Sequence, residues 1–246
     1  TYNYGYDTDA RIQGQIGPGP KISTLALTGA GTITKLYTAR DASANIYLYV
    51  VNDSAKLFKI KMSDLSTTYT VTFAHAASPN LTDLVVVKDG SAPGVSDRGI
   101  THPAGTYLMA FFGETAPIQY TTAVATAGVD TWAGAAATAY GGTGMAMQGF
   151  TNTETWVFKS TGASGQSSGA FSRLQYAAVT TSAATDYSDS SSSIWKPATP
   201  YQVGQFGSSI TSITEYQRGP LIGKPEGLYL FDQNFNATAL ATFHSY

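Results

Sequence analysis

The chain contains no cysteine. That excludes a disulfide scaffold, a thiolate metal site and a cysteine nucleophile, and it leaves the redox compartment open. Charge is scarce too: Asp, Glu, Lys and Arg make up 12 % of the residues, about half the share usual in soluble domains. Lys and Arg number 14 against 16 Asp and Glu, a formal net of −2, and no run of five like charges occurs. A nucleic-acid partner held through phosphates needs a clustered basic excess, so none is expected. No stretch approaches the roughly 18 apolar residues of a membrane span, so membrane insertion is not expected either. The three histidines, His75, His102 and His244, lie far apart and show none of the short spacings of a zinc site. No metal and no cofactor is expected.

Hydroxyls stand where charges would. There are 33 Thr and 23 Ser, with 25 Gly and 16 Tyr, among 246 residues. This is a β-rich, turn-rich and helix-poor composition. Hydrophobic residues reach 43 % and aromatics 12 %, enough for the core of one large all-β domain or two smaller ones and too much for a disordered chain. The chain opens TYNYGYDTDA, without an initiator Met or a signal peptide, and is expected to be processed or part of something longer.

A short element recurs. Residues 210–213 read ITSI, residues 33–36 ITKL and residues 81–84 LTDL, each with apolar groups three apart around a Thr and each leading into an extended run. The first two copies are 48 residues apart, and the remaining gap of 129 divides into three steps of 43. That spacing is expected of a repeat of roughly 40–50 residues with some copies eroded. A second pattern, apolar strand, polar corner, apolar strand, is read at a fixed place within each unit, in residues 46–60, 107–120, 145–159 and 220–232. Its corners are Asn52-Asp53-Ser54, Gly113-Glu114, Thr151-Asn152-Thr153 and Gly223-Lys224-Pro225-Glu226-Gly227, which suit hairpin turns. Repeats of this length built only from strands predict a β-propeller-like array of short antiparallel sheets, about five units in a complete or incomplete ring; a β-sandwich is the alternative. The repeat domain spans 33–246. Residues 1–32, rich in Gly and Pro, read as an N-terminal arm. Residues 160–193 read as two polar loops around one strand at 171–179.

Residues 165–169, GQSSG, match the nucleophile elbow of α/β-hydrolases in form. No apolar strand leads into Ser167, no helix pattern follows, and the only later histidine is His244. A linker is the expected reading. The carboxylates that could converge are Asp53, Asp83, Asp89, Asp97, Glu114, Asp130, Glu154, Glu215, Glu226 and Asp232. Most fall in corners, where Asp and Glu are ordinary solvated turn residues. Asp83 and Glu215 differ, because both lie on or beside the expected first strand of a unit, which lines the channel in a propeller; they are the candidate pair for a glycosidase. Tyr47, Tyr49, Tyr107, Tyr120, Trp132, Trp156, Trp195 and Tyr229 could stack on sugar rings, but their alternation within strands favours packing between sheets. No catalytic, metal or cofactor residue is assigned, no ligand-binding residue is identified, and the chain is not read as an enzyme.

The stretches GTYLMAFFGETAPIQYTT, TETWVFKSTG and YQVGQFGSSITSITEYQRGPLIGKPEGLYLFD resemble propeller-type proteins encoded in tailed-bacteriophage and environmental viral genomes. The likeness covers about residues 81–240. It is carried most strongly by Gly207, Ser208, Ile210, Thr211, Ser212, Leu221, Ile222, Gly223, Lys224, Gly227, Leu228, Tyr229 and Asp232. The resemblance implies a non-enzymatic structural or adhesive component of a virion or other extracellular assembly, and it brings no catalytic residues with it. The partners it implies are other subunits of that assembly and a host-surface glycan. A carbohydrate-binding propeller is the alternative, and a propeller glycosidase the third reading.

Overall fold

Strands form wherever Val, Ile, Thr, Tyr and Phe run between Gly, Asn, Asp and Ser corners, and nearly all of the regular structure follows that rule. The computed structural model describes residues 8–9, 17–18, 31–52, 57–65, 68–71, 73, 81–88, 96–97, 100–101, 106–121, 124–133, 139–151, 155–162, 170–178, 195–217 and 219–243. Among them the fold is all-β, with no helix. In chain order the strands are β1 Thr8–Asp9, β2 Gly17–Pro18, β3 Ile33–Arg40, β4 Ile46–Asn52, β5 Leu57–Lys61, β6 Thr68–Val71, β7 Asp83–Lys88, β8 Ser96–Asp97, β9 Ile100–Thr101 and β10 Thr106–Phe111. They continue with β11 Gln119–Thr121, β12 Trp132–Ala133, β13 Gly144–Gln148, β14 Thr155–Thr161, β15 Arg173–Ala178, β16 Lys196–Gln202, β17 Ser212–Tyr216, β18 Gly219–Lys224, β19 Gly227–Phe231 and β20 Ala237–Thr242.

Sixteen of these make four antiparallel meanders of four strands: sheet I is β3-β4-β5-β6, sheet II β7-β10-β11-β12, sheet III β13-β14-β15-β16 and sheet IV β17-β18-β19-β20. The pairs β1-β2 and β8-β9 stand apart as two-stranded ribbons, the second interposed between β7 and β10. The four hairpins read from the sequence therefore lie in four separate sheets and not in one continuous sheet. The first strands of successive sheets lie side by side, β3 by β7, β7 by β13 and β13 by β17.

Successive sheets bury alternate faces. Tyr47, Tyr49, Val51 and Leu57 of sheet I pack with Leu84, Leu108, Ala110 and Trp132 of sheet II. The other face of sheet II, with Val85, Val87, Met109 and Phe111, meets Val157 and Ala177 of sheet III. The other face of sheet III, with Met145, Met147, Phe158 and Tyr176, meets Ile213, Ile222, Tyr229 and Phe231 of sheet IV. A sheet covered on both sides needs apolar groups at both parities, so β7 reads Leu-Val-Val-Val over residues 84–87, whereas β3 of sheet I alternates and leaves Ile33 and Leu36 more than half exposed. Contact between sheets II and III is close enough to require glycine: a Cβ on Gly144 would stand 2.7 Å from the Phe111 ring and 2.8 Å from the Phe158 carbonyl, and one on Gly141 2.5 Å from the same ring.

Two expectations are corrected here. About five units were expected, and four four-stranded sheets are present among the described residues. The recurring element does mark first strands: Thr34, Thr82 and Thr211 each donate their hydroxyl to a carbonyl of the neighbouring second strand, those of Val51, Phe111 and Gly223. The gap between the second and third copies, however, holds one further unit and not two. Its Thr is Thr143, in Gly142-Thr143-Gly144-Met145, 61 residues after Thr82 and 68 before Thr211. In that copy the flanking apolar position is Gly142, where a Cβ would stand 3.1 Å from the Ser160 hydroxyl and 3.5 Å from the Phe171 ring, and long connections stretched the spacing. The hairpins also do not occupy one fixed place. Those at 46–60, 107–120 and 220–232 join second to third strands, but 145–159 joins first to second, because β14 and β15 are separated by an eleven-residue connection, 162–172.

Candidate functional site

Each interface between successive sheets contains one fully buried lysine. Lys59 of β5 donates to the Ala125 carbonyl and the Asp130 carboxylate, both at 2.7 Å, and its ammonium lies 4.4 Å from the centre of the Tyr47 ring. Lys59 and Asp130 are both 0 % exposed, and Asp130 also accepts from the Tyr49 hydroxyl at 2.8 Å and the Ala125 amide at 2.8 Å. This ties sheet I to the β11–β12 connection of sheet II. Burial, then the charge of Asp130 and its hydrogen bond, push the Tyr49 hydroxyl far above the ordinary tyrosine range.

Lys159 of β14 donates to the Tyr140 carbonyl at 3.0 Å and lies 4.7 Å from the centre of the Trp195 ring. Among the described residues no carboxylate faces it, and burial alone pushes its ammonium down to about 7. Lys224, at the end of β18, donates to the carbonyls of Val203 and of Gln205, the latter at 2.7 Å, and pairs with Glu226 at 2.9 Å. Burial works to raise the Glu226 carboxyl. Hydrogen bonds from Ser208, from Lys224 and from backbone amides, including that of Gln205, outweigh it and hold it at about 2.

Asp83, one of the two acids singled out in the sequence, plays the same structural part. It sits at the head of β7 and takes the Tyr37 hydroxyl (2.7 Å) and the Lys35 ammonium (3.4 Å) from sheet I. From sheet III it takes the Thr143 hydroxyl and the Gly144 amide (3.3 Å). Both carboxylate oxygens are thus engaged in joining three sheets. Burial and the adjacent Asp83 charge push the Tyr37 hydroxyl well above its usual range.

Glu215, the other acid, is placed differently. It lies on β17 and lines a cavity of about 420 Å³ with Thr38, Val86, Ala146, Met147, Gln148 and Thr155. These residues come from the first strand of all four sheets, β3, β7, β13 and β17, with one addition from β14. Asp83 is not among them. A smaller cavity of about 230 Å³ lies beside the β19–β20 turn, lined by Gln217, Gly219, Leu230, Phe231, Asp232, Gln233 and Asn234; there the Asp232 carboxylate is occupied by the amides of Asn234 (2.9 Å) and Asn236 (3.0 Å).

The remaining candidates divide clearly. Asp130 and Glu226 were expected as solvated corner residues and are instead ion-paired in sheet interfaces, whereas Glu114 is exposed as expected. Tyr47, Tyr49, Tyr120, Trp132, Trp195 and Tyr229 are buried and Trp156 is half-buried. Asp53, Asp89, Glu154, Ser167, His75, His102 and His244 lie outside the described residues, as do the side chains of Asp97 and Tyr107. Among the described residues no three His, Cys, Asp or Glu side chains gather as a metal site.

No protein-family model, curated protein or solved structure matches the chain.

The residues that sequence reasoning missed are the three lysines and the cavity pair Thr38 and Gln148. The lysines did leave a signal: each sits inside an apolar run (LFKI, VFKS, LIGK), where a cation is out of place unless it is paired within the fold.

Proposed function

We propose that the chain is a non-enzymatic structural or adhesive module of a virion or other extracellular assembly. Its four sheets are arranged as propeller-like blades around the cavity between their first strands. The observation that carries this reading is how the chain spends its polar and aromatic side chains. The candidate stacking aromatics are largely buried between sheets, and Asp83, Asp130 and Glu226 hold sheets together. Such side chains make a rigid scaffold with little left over for a catalytic cleft.

Contacts with other subunits fit the two terminal sheets. Leu36 on β3, Tyr216 on β17, Leu240 on β20 and Phe243 just beyond it are 44–58 % exposed. The outer edge of sheet IV, β20, reads Ala-Thr-Ala-Leu-Ala-Thr, without charge or proline. By comparison β16, the edge of sheet III, carries Lys196, Pro197 and Pro200, and β12, the edge of sheet II, is two residues long. Charge, proline and shortness are the usual ways of blunting an edge, and β20 has none of them. Among the described residues its protection is a bulge at Leu240.

The test is fractionation of the native source on a density gradient with detection of the chain. It should sediment with particles, and a form lacking residues 1–20 should fold but fail to incorporate. Recovery only as a small, unassociated species would overturn the proposal. Hydrolysis of glycosides by the purified chain would overturn its non-enzymatic part.

A further inference from the structure

We propose that the cavity at the meeting of the four first strands binds a small organic ammonium ion, with the Glu215 carboxylate as its counter-charge. The inference concerns a ligand and does not depend on the assembly reading above.

Four other acids among the described residues have both oxygens committed, and a fifth, Asp232, has one. Asp41 is held by Asn45, Ser43 and Tyr47, Asp83 by two neighbouring sheets, Asp130 by Lys59 and Tyr49, Glu226 by Lys224 and Ser208, and Asp232 by its own turn. Glu215 makes no hydrogen bond or ion pair among the described residues, and it faces the cavity. Lys35 is committed to Asp83, Lys59 to Asp130 and Lys224 to Glu226. Among the described residues no Lys, Arg or His lines the cavity. A single carboxylate in a concave site attracts cations without a competing internal partner.

The other lining groups narrow the guest. One carboxylate with no second acid is a poor cage for a divalent metal, which takes six or more oxygens and usually more than one carboxylate. The Gln148 carboxamide and the Thr38 hydroxyl supply further acceptors for an ammonium with several N–H groups. Val86 and Ala146 supply apolar wall for an aliphatic stem. The volume, about 420 Å³, lies within the range of small-ligand pockets, roughly 300–1,000 Å³.

The experiment titrates the full chain with n-butylammonium and 1,4-diaminobutane, followed by NMR shifts of the cavity residues and by calorimetry. 1-Butanol and glucose serve as neutral controls. Saturable binding of the amines with shifts at Thr38, Val86 and Gln148 is expected, weakened by added salt and at least about tenfold weaker in Glu215→Gln, as loss of a charged hydrogen-bond partner requires. Glu215 is exposed, so Glu215→Gln should fold as the parent does, which its melting curve checks. Equal binding of 1-butanol, preferential binding of glucose, amine binding unchanged in Glu215→Gln, or no shift at millimolar amine would each overturn the proposal. None of these outcomes bears on whether the chain sediments with particles.

Discussion

Single buried charges hold the sheet interfaces together, and two of them make sharp predictions. Asp130 and Lys59 are both fully buried, so removing one partner strands the other in a medium that cannot solvate it. Asp130→Ala should cost about 3–5 kcal/mol of unfolding free energy. The double variant Asp130→Ala, Lys59→Met should recover most of that loss, measured by urea titration of both. Lys159 behaves differently, because it has no carboxylate partner among the described residues and titrates at about 7 against an ordinary 10.5. Below pH 7 the folded protein carries the buried charge and bears its full penalty. Between 7 and 10.5 the unfolded chain still holds a proton that the folded protein has released, so stability rises with pH through that window. Lys159→Met should therefore be more stable than the parent at pH 6, on the order of a few kcal/mol, and the difference should shrink steadily towards pH 10. A parent whose unfolding midpoint, relative to Lys159→Met, is flat from pH 6 to 10 would contradict this. The place of Lys59 and Lys159 inside apolar runs was visible in the sequence, but the role of Asp130 was not. Asp130 looks like any turn acid until Lys59, 71 residues away, is brought against it.

At the scale of elements more was legible. The apolar-Thr-x-apolar element marks the first strand of sheets I, II and IV, and all four hairpins read from the sequence are present. Local patterning sufficed there because a hairpin is closed by its own corner and its own alternation. The count of sheets was not legible, because it depends on connections of unequal length that carry no periodic signal. The third copy was hidden because its apolar position is glycine. A second glycine of that copy, Gly144, has a structural cause that can be tested. Gly144 stands where a Cβ would meet the Phe111 ring on one side and the Phe158 carbonyl on the other, and neither the ring, which is 0 % exposed, nor the backbone can retreat without opening the interface of sheets II and III. Gly144→Ala should destabilise by about 1–3 kcal/mol, the usual cost of overpacking. Combining it with Phe111→Leu, which shortens the opposing group, should cost less than the sum of the two changes. Strict additivity in thermal melts would show that the two sites do not touch.

For the molecule as a whole the question is how the terminal sheets stand to one another. Sheets I, II, III and IV follow in a row with their first strands adjacent, and β3 and β17 are the two ends of that row. Yet Thr38 of β3 and Glu215 of β17 line the same cavity. A flat row of four sheets would hold its end strands far apart, whereas a row curled about a common axis brings them to one opening. Sheet I also has a second apolar face, with Val50, Phe58 and Ile60 all at most 3 % exposed, which is not shared with the cluster joining sheets I and II. The chain is free of cysteine, so two introduced thiols report without background. In Thr38→Cys, Glu215→Cys, both side chains exposed in the parent, a short bis-maleimide should close an intramolecular bridge at low protein concentration, and neither single variant should yield a bridged monomer. The bridge should raise the melting temperature, because it closes a loop of nearly the whole described array and removes conformational freedom from the unfolded chain. Cross-linking that appears only between molecules, or only as the chain begins to unfold, would mean that the end strands do not share one cavity and that the four sheets form an open row.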